Sequence, residues 1–138
     1  NNFMTGHKAN IRELNTIGDN VSIGTLSVVE HHVTVGSGVR IHTQVFVPEY
    51  TVLEDECWLG PNVVVTNDPF PQSPSDRKKL LGVTIKSRAK IGANSTLCPG
   101  VIIESNTLIG AGSVVTKNTL PGKIYAGNPA RVLRDIPY

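Results

Sequence analysis

An aliphatic residue at every sixth position constrains this chain more than any other feature. From Ile11 the step runs through Ile17, Ile23, Val29, Val35, Ile41, Val47, Leu53, Leu59 and Val65. After an interruption it resumes at Ile85, Ile91, Leu97, Ile103, Ile109 and Val115. All 16 positions hold Ile, Leu or Val, although these residues make up only 38 of 138, so chance does not produce the pattern. A second column lies four residues further on: Val21, Ser27, Val33, Val39, Val45, Thr51, Cys57 and Val63, then Ala89, Ser95, Val101, Thr107, Ser113 and Thr119. Every member is small or β-branched. Gly is frequent just after the aliphatic residue, where it relieves either a tight corner or a close approach of neighbouring backbone.

A period of six matches neither the 3.6 of an amphipathic helix nor the alternation of a two-layer sheet. It matches short strands joined by sharp corners, three to a turn, in an 18-residue triangular coil. Aliphatic side chains then fill the interior, small ones let the chain turn, and coils stack at about 4.8 Å through backbone hydrogen bonds. This arrangement resembles the left-handed parallel β-helix of hexapeptide repeats, an all-β fold and an exception to the preference for right-handed crossovers. The expected organisation is one domain over 1–138, with coils near 11–28, 29–46, 47–64, 65–102 and 103–120. A loop insertion falls at 69–82 and a short C-terminal tail at 121–138. The insertion, PFPQSPSDRKKLLG, carries three Pro and the basic run Arg77, Lys78 and Lys79. Loops of this length within a compact domain are often functional.

Composition excludes several classes. The formal net charge is only +2, which gives no concentrated basic face for a nucleic acid. No apolar run approaches membrane-spanning length, and NNFMTGHKAN lacks the apolar core of a signal peptide. Cys57 and Cys98 are too few for a disulfide framework, so a cytoplasmic protein with two reduced thiols is expected.

An 18-residue coil turns sequence offsets into neighbours. His31, Glu49 and Asn67 should form one column, and His32, Tyr50 and Asp68 the next, both on the corner from which the long loop leaves. This polar corner is the candidate site. Taken singly, each residue also has a plainer reading, since an exposed corner His is commonly a surface hydrogen-bonder. His7 and His42 fall on other corners. Phe46 and Trp58 should face outward, at an interface between chains.

The segments GPNVVVTNDPFP (60–71), IGANSTLCPGV (91–101), IGAGSVVTKN (109–118) and AGNPARVLR (126–134) resemble the hexapeptide-repeat acyltransferases that use acetyl-CoA. The likeness is nearest to N-acetyltransferases acting on nucleotide-linked amino sugars for surface polysaccharide. In the sugar O-acetyltransferases of that superfamily, the segment matching Thr66–Pro69 has a catalytic His before the Pro. Here that position is Asp68, as in the Thr-Asn-Asp of the amino-sugar enzymes.

The chemistry agrees. A hydroxyl must shed its proton as it attacks a thioester, so a placed imidazole helps greatly. An amine with a pKa of about 8 already has a usable neutral fraction at pH 7 and needs mainly positioning and a proton acceptor. The resemblance implies Asp68, Asn67 and His31 as catalytic residues: Asp68 accepts the proton or holds the ammonium, Asn67 orients the thioester, and His31 is a base or binds substrate. His32, Glu49, Tyr50 and Arg77 are the expected substrate contacts. For acetyl-CoA it implies a groove between subunits lined by Ala93, Gly110 and Ala111, with Lys117 and Arg131 toward phosphates and Asn128-Pro129 beside the adenine. It also implies a homotrimer, and no metal.

Three rivals remain. A carbonic anhydrase on the same fold needs three converging His, and the required His-x4-His spacing is missing from His31, His32 and His42. A non-catalytic β-helix would bind without a CoA groove. An acyltransferase acting on an alcohol, an amino acid or an antibiotic keeps the chemistry and changes only the acceptor.

Overall fold

A computed structural model describes residues 1–74 and 79–138. Among these described residues, 19 strands, β1 to β19 in chain order, form three sheets that wind about one core. The first sheet holds β1 (Met4–Thr5), β4 (Ser22–Ile23), β7 (Arg40–Ile41), β10 (Trp58–Leu59), β13 (Lys90–Ile91), β16 (Leu108–Ile109), β18 (Lys123–Gly127) and β19 (Ala130–Asp135). The second stacks β2 (Asn10–Ile11), β5 (Val28–Val29), β8 (Phe46–Val47), β11 (Val64–Val65), β14 (Thr96–Leu97) and β17 (Val114–Val115). The third stacks β3 (Thr16–Ile17), β6 (Thr34–Val35), β9 (Val52–Leu53), β12 (Thr84–Ile85) and β15 (Ile102–Ile103). From β1 to β17 consecutive strands fall in successive sheets, so three strands make one coil. The result is a parallel β-solenoid of about 7 turns, the left-handed β-helix that the repeats predict. Among the described residues, no helix is long and apolar enough to cross a membrane.

Register follows the repeat. Ser22 pairs with Arg40 and Val28 with Phe46, each 18 residues on. Across the insertion Trp58 pairs with Lys90 and Val52 with Thr84, a separation of 32. The difference of 14 is the length of the loop, so the scaffold resumes in register behind it.

From β2 on, the second residue of each two-residue strand points inward. From Ile23 to Val115 this column is buried, while Ile11 and Ile17, in the first coil, are only half-buried. The small column is buried throughout, and Val83 joins it where the coils restart. Its hydroxyls bond to corner carbonyls: Thr51 Oγ1 donates to Pro48 O at 2.8 Å and Ser113 Oγ to Gly110 O at 2.6 Å. Among the described residues no buried side-chain nitrogen or oxygen lacks a partner, which is why Ser and Thr are tolerated beside the aliphatic core. Cys57 behaves the same way, its Sγ lying 3.1 Å from Lys86 O. Burial pushes its thiol up to about 12, so it is no nucleophile at neutral pH.

Two features of the corners sharpen the sequence reading. The Gly after an aliphatic residue serves close approach: a Cβ at Gly92 would lie 2.5 Å from Ala111 N in the next coil. The tight turn falls two residues later. There a ladder of left-handed backbone recurs every six residues, through Leu14, Asn20, Leu26, His32, Gly38, Gln44, Tyr50, Glu56 and Asn62, then Arg88, Asn94, Gly100, Asn106 and Gly112. Asn and Gly suit this conformation, whereas Leu and Tyr bear a cost of about 1–2 kcal/mol. The segment expected as a tail instead forms a hairpin: β18 extends the first sheet beside β16, and β19 returns antiparallel to it.

Three outcomes follow from this packing. Ile91→Ala, at a fully buried position, should lower unfolding free energy by about 2–5 kcal/mol in urea titrations. Leu14→Asn, at a residue 70% exposed with φ 64°, should raise it by about 0.5–1 kcal/mol. A thiol reagent at about pH 8 should titrate Cys98 in the folded protein and Cys57 only after unfolding.

Candidate functional site

The corner between the second and third sheets carries the expected polar residues. Glu30, Pro48, Thr66 and Cys98 follow the inward residues of β5, β8, β11 and β14, and the corner side chains come next: His31, Glu49, Asn67 and Pro99. Asn67 Nδ2 donates to Glu49 O at 3.0 Å, which fixes the upper part of the His31–Glu49–Asn67 column. Thr66 Oγ1 donates to Leu97 O at 2.7 Å and anchors the same corner to the coil above.

The neighbouring column departs from the simple 18-residue expectation. Tyr50 N donates to His32 O at 3.0 Å, so these two stack as expected. Asp68 does not continue above them. The chain leaves the coil at this point, and Leu81 takes the next rung: its N–H donates to Asn67 O at 2.7 Å and its carbonyl accepts from Gly100 N at 3.0 Å. Gly82 packs on Tyr50 so closely that a Cβ would lie 1.9 Å from Tyr50 O. Asp68 instead opens the loop with an Asx turn, Oδ1 accepting from Phe70 N at 3.1 Å. Asp68 is half-buried, and its Oδ2 accepts no hydrogen bond from a described residue. The corner thus includes Leu81 and Gly82, which a fixed offset does not reach. The signal was present in Leu-Gly-Val just before the repeat restarts. Arg77 lies outside the described residues.

Below, charge and rings accumulate on one side. Arg12 bridges Glu13 and Glu30, both at 2.9 Å. The Glu13 carboxyl is held below the usual carboxylate range, first by its own backbone N–H, then by Arg12, with a smaller contribution from the charge of His31. The His31 and His32 rings meet edge to face with centroids 4.9 Å apart, and their Nδ1 atoms are 2.7 Å apart. The His32 ring also lies 5.8 Å from that of Tyr50.

The residues expected at acetyl-CoA divide between two corners. Ala93, Gly110 and Ala111 sit on the corner between the first and second sheets. Gly110 N donates to Tyr125 O at 2.8 Å, and Gly127 N to Ser113 Oγ at 3.3 Å, which docks the terminal hairpin on this corner. Asn128 and Pro129 form the hairpin's turn, joined by a cis peptide bond, and Arg131 follows in β19. Lys117, by contrast, stands exposed on the polar corner, in the column of Asn67 and Pro99. Among the described residues neither Lys117 nor Arg131 forms an ion pair. Between the two corners runs the outer face of the second sheet, with Val28, Phe46, Val64, Thr96 and Val114 in line. Phe46 faces outward here. Trp58 faces outward from the first sheet, its ring 4.8 Å from that of His42. Among the described residues no three His, Cys, Asp or Glu side chains are grouped to hold a metal ion.

Known proteins resemble this chain in sequence and fold. A galactoside O-acetyltransferase of Escherichia coli is 33% identical over 124 residues, covering 86% of this chain and 56% of its own length. A mitochondrial gamma carbonic anhydrase of Arabidopsis thaliana is 30% identical over 112 residues, covering 77% of this chain and 37% of its own. The chain therefore spans little more than half the length of the first of these curated relatives and just over a third of the second. A solved structure of AntD, an N-acyltransferase from Bacillus cereus, in complex with dTDP-4-amino-4,6-dideoxyglucose and coenzyme A, superposes with a TM-score of 0.81. It is 25% identical, and the match covers 97% of this chain and 83% of that one. The family model for bacterial transferase hexapeptide (six repeats) matches residues 16–49 and 82–117. With just over half its length matched and its fold in agreement, the chain belongs to the bacterial transferase hexapeptide family.

Proposed function

We propose that the protein transfers an acetyl group from acetyl-CoA to the amine of a nucleotide-linked amino sugar, in the cytoplasm and without a metal. The observation that carries this reading is Asp68, a carboxylate oriented by the Phe70 N–H at the mouth of the loop, beside Asn67. A carboxylate there attracts an ammonium and orients the amine left by its deprotonation. The amine nitrogen bonds to the acyl carbon, its proton goes to the Asp68 carboxylate, the carbon–sulfur bond breaks, and the CoA thiolate leaves and takes up a proton from solvent. Asn67 orients the thioester, and Glu49, Tyr50 and Arg77 contact the acceptor. The AntD complex supports the choice, because that relative holds CoA together with an amino sugar on a nucleotide.

The division of the site supports a homotrimer. The apolar strip on the second sheet separates the polar corner from the small-residue corner. Packing this strip against a neighbour would set the polar corner of one chain near the small residues Ala93, Gly110 and Ala111 of the next. The pantetheine arm then runs along small residues with exposed amides, while Asn128, Pro129 and Arg131 take the adenine and phosphate end and Lys117 a phosphate from the polar corner. Phe46→Asp should convert the trimer to monomers in sedimentation, with the fold retained.

A hydroxyl acceptor is the second reading, favoured by the galactoside O-acetyltransferase relative. Thiol release from acetyl-CoA, measured over a panel of nucleotide-linked amino sugars and neutral sugars, separates the two. The amino sugars should be turned over, and turnover of hydroxyl acceptors alone would replace the first reading with the second. Asp68→Ala should lower kcat on an amino sugar by roughly 100-fold, with CoA affinity within about threefold. Unchanged turnover would remove Asp68 from the mechanism.

A further inference from the structure

Just after each inward residue of the first sheet the chain turns toward the second, and this column reads Gly6, Gly24, His42, Gly60, Gly92 and Gly110. Coils approach closely here. A Cβ would lie 2.5 Å from Thr25 N at Gly6, 2.6 Å from the His42 carbonyl carbon at Gly24 and 2.5 Å from Ala111 N at Gly92. The lack of side chains leaves a groove along the corner, and His42 alone carries a side chain in the column.

The His42 ring lies 4.8 Å from that of Trp58. The Trp58 ring in turn covers Gly60, where a Cβ would come within 3.1 Å of Cζ3. Gly60 is consequently buried, whereas Gly6, Gly24, Gly92 and Gly110 are half-buried. The two rings therefore divide the groove. Above them it passes Gly92 and Gly110 and ends at Ala126, in the terminal hairpin. Below them it reopens as a trough of 370 Å³ lined by Met4, Gly6, Ser22, Gly24 and Thr25, with His42 at its upper end.

The upper compartment is the part assigned above to the pantetheine arm. That arm has about as many chain atoms as four residues of extended backbone, or roughly 14 Å. Ala126 to Gly60 is three coil steps, which also comes to about 14 Å. An arm that starts at the hairpin thus brings its thioester to the coil of Gly60, against the two rings. Asn67 belongs to that same coil, following β11 as Gly60 follows β10.

We propose that the His42–Trp58 pair determines specificity for the acyl donor: its rings close the groove beyond the thioester and limit the transferred group to a short acyl chain. This rests on the reading of the corner as the pantetheine groove. An acetyl group fits above the rings. A longer chain needs the trough below, which the rings shut off, and their removal would join the two compartments.

S-ethyl-CoA and S-octyl-CoA, thioethers that cannot transfer their alkyl group, test this by calorimetry without an acceptor. Relative to S-ethyl-CoA, the double variant His42→Gly/Trp58→Ala should favour S-octyl-CoA about tenfold more than the wild-type protein does, a factor that burial of two methylenes supplies. In His42→Gly alone, which only extends the residue of the column, the gain should be about threefold. His42→Phe keeps a ring and should keep the wild-type ratio. An unchanged ratio in both glycine variants, with S-ethyl-CoA still bound, would overturn the proposal. Wild-type turnover of octanoyl-CoA as fast as acetyl-CoA would do the same. Failure of the wild-type protein to bind either thioether would instead overturn the groove on which the proposal rests. If no acceptor is acetylated at all, the reading of the enzyme fails, while the thioether ratios still decide whether the rings divide the groove.

Discussion

Backbone hydrogen bonds between stacked coils fix the position of everything else in this molecule. Each coil donates to the next along all three sheets, as Gly24 N does to Ile41 O at 2.7 Å and Val28 N to Val45 O at 2.9 Å. Parallel pairing of two-residue strands is weak taken singly, and short strands bury little. Repetition makes it sufficient, because each aliphatic residue packs on the equivalent residue of the coils above and below. Any residue that must face out is therefore placed by its position within six, and its neighbours by a step of 18.

The proposed site lies where this rule is relaxed, at the start of the loop. At Asp68 the chain leaves the coil, and the backbone positions it vacates are filled by Leu81 and Gly82 on its return. A carboxylate placed on the regular ladder would stack directly over Tyr50. Released into an Asx turn, Asp68 is held by the Phe70 N–H at the loop mouth, beside but not within the column of Asn67. Rigid coils supply Asn67, Glu49 and His31, and the excursion supplies a group that the repeat has no position for.

The scaffold was legible because its signal is redundant: sixteen aliphatic positions all point to one period, and the 14-residue offset of the insertion appears directly in the pairing of Trp58 with Lys90. The corner was legible for the same reason wherever the period holds, as for His31, Glu49 and Asn67. It failed at Asp68, since an offset of 18 presumes that the chain is still in the coil. The left-handed ladder was missed because residue identity only partly reports it: Asn62, Asn94 and Gly100 advertise such a turn, but Leu14, Tyr50 and Arg88 occupy it against their preference. Nor does sequence reveal that His31 and His32, adjacent in the chain, turn their Nδ1 atoms toward each other, because side-chain torsions decide that.

The preserved register behind the loop has a consequence for how the chain reaches this state. Outside the loop and the terminal hairpin, paired strands of neighbouring coils join residues 18 apart, so the entropy lost in adding each coil is nearly the same, and order can spread from a formed coil to its neighbour. Only the step across the loop is longer, at 32 residues. Because closure entropy grows with the logarithm of length, that step costs about 0.5 kcal/mol more than the others. A loop long enough to carry chemistry is thus almost free in folding terms, and its length and composition can change with little effect on the coils that bear it.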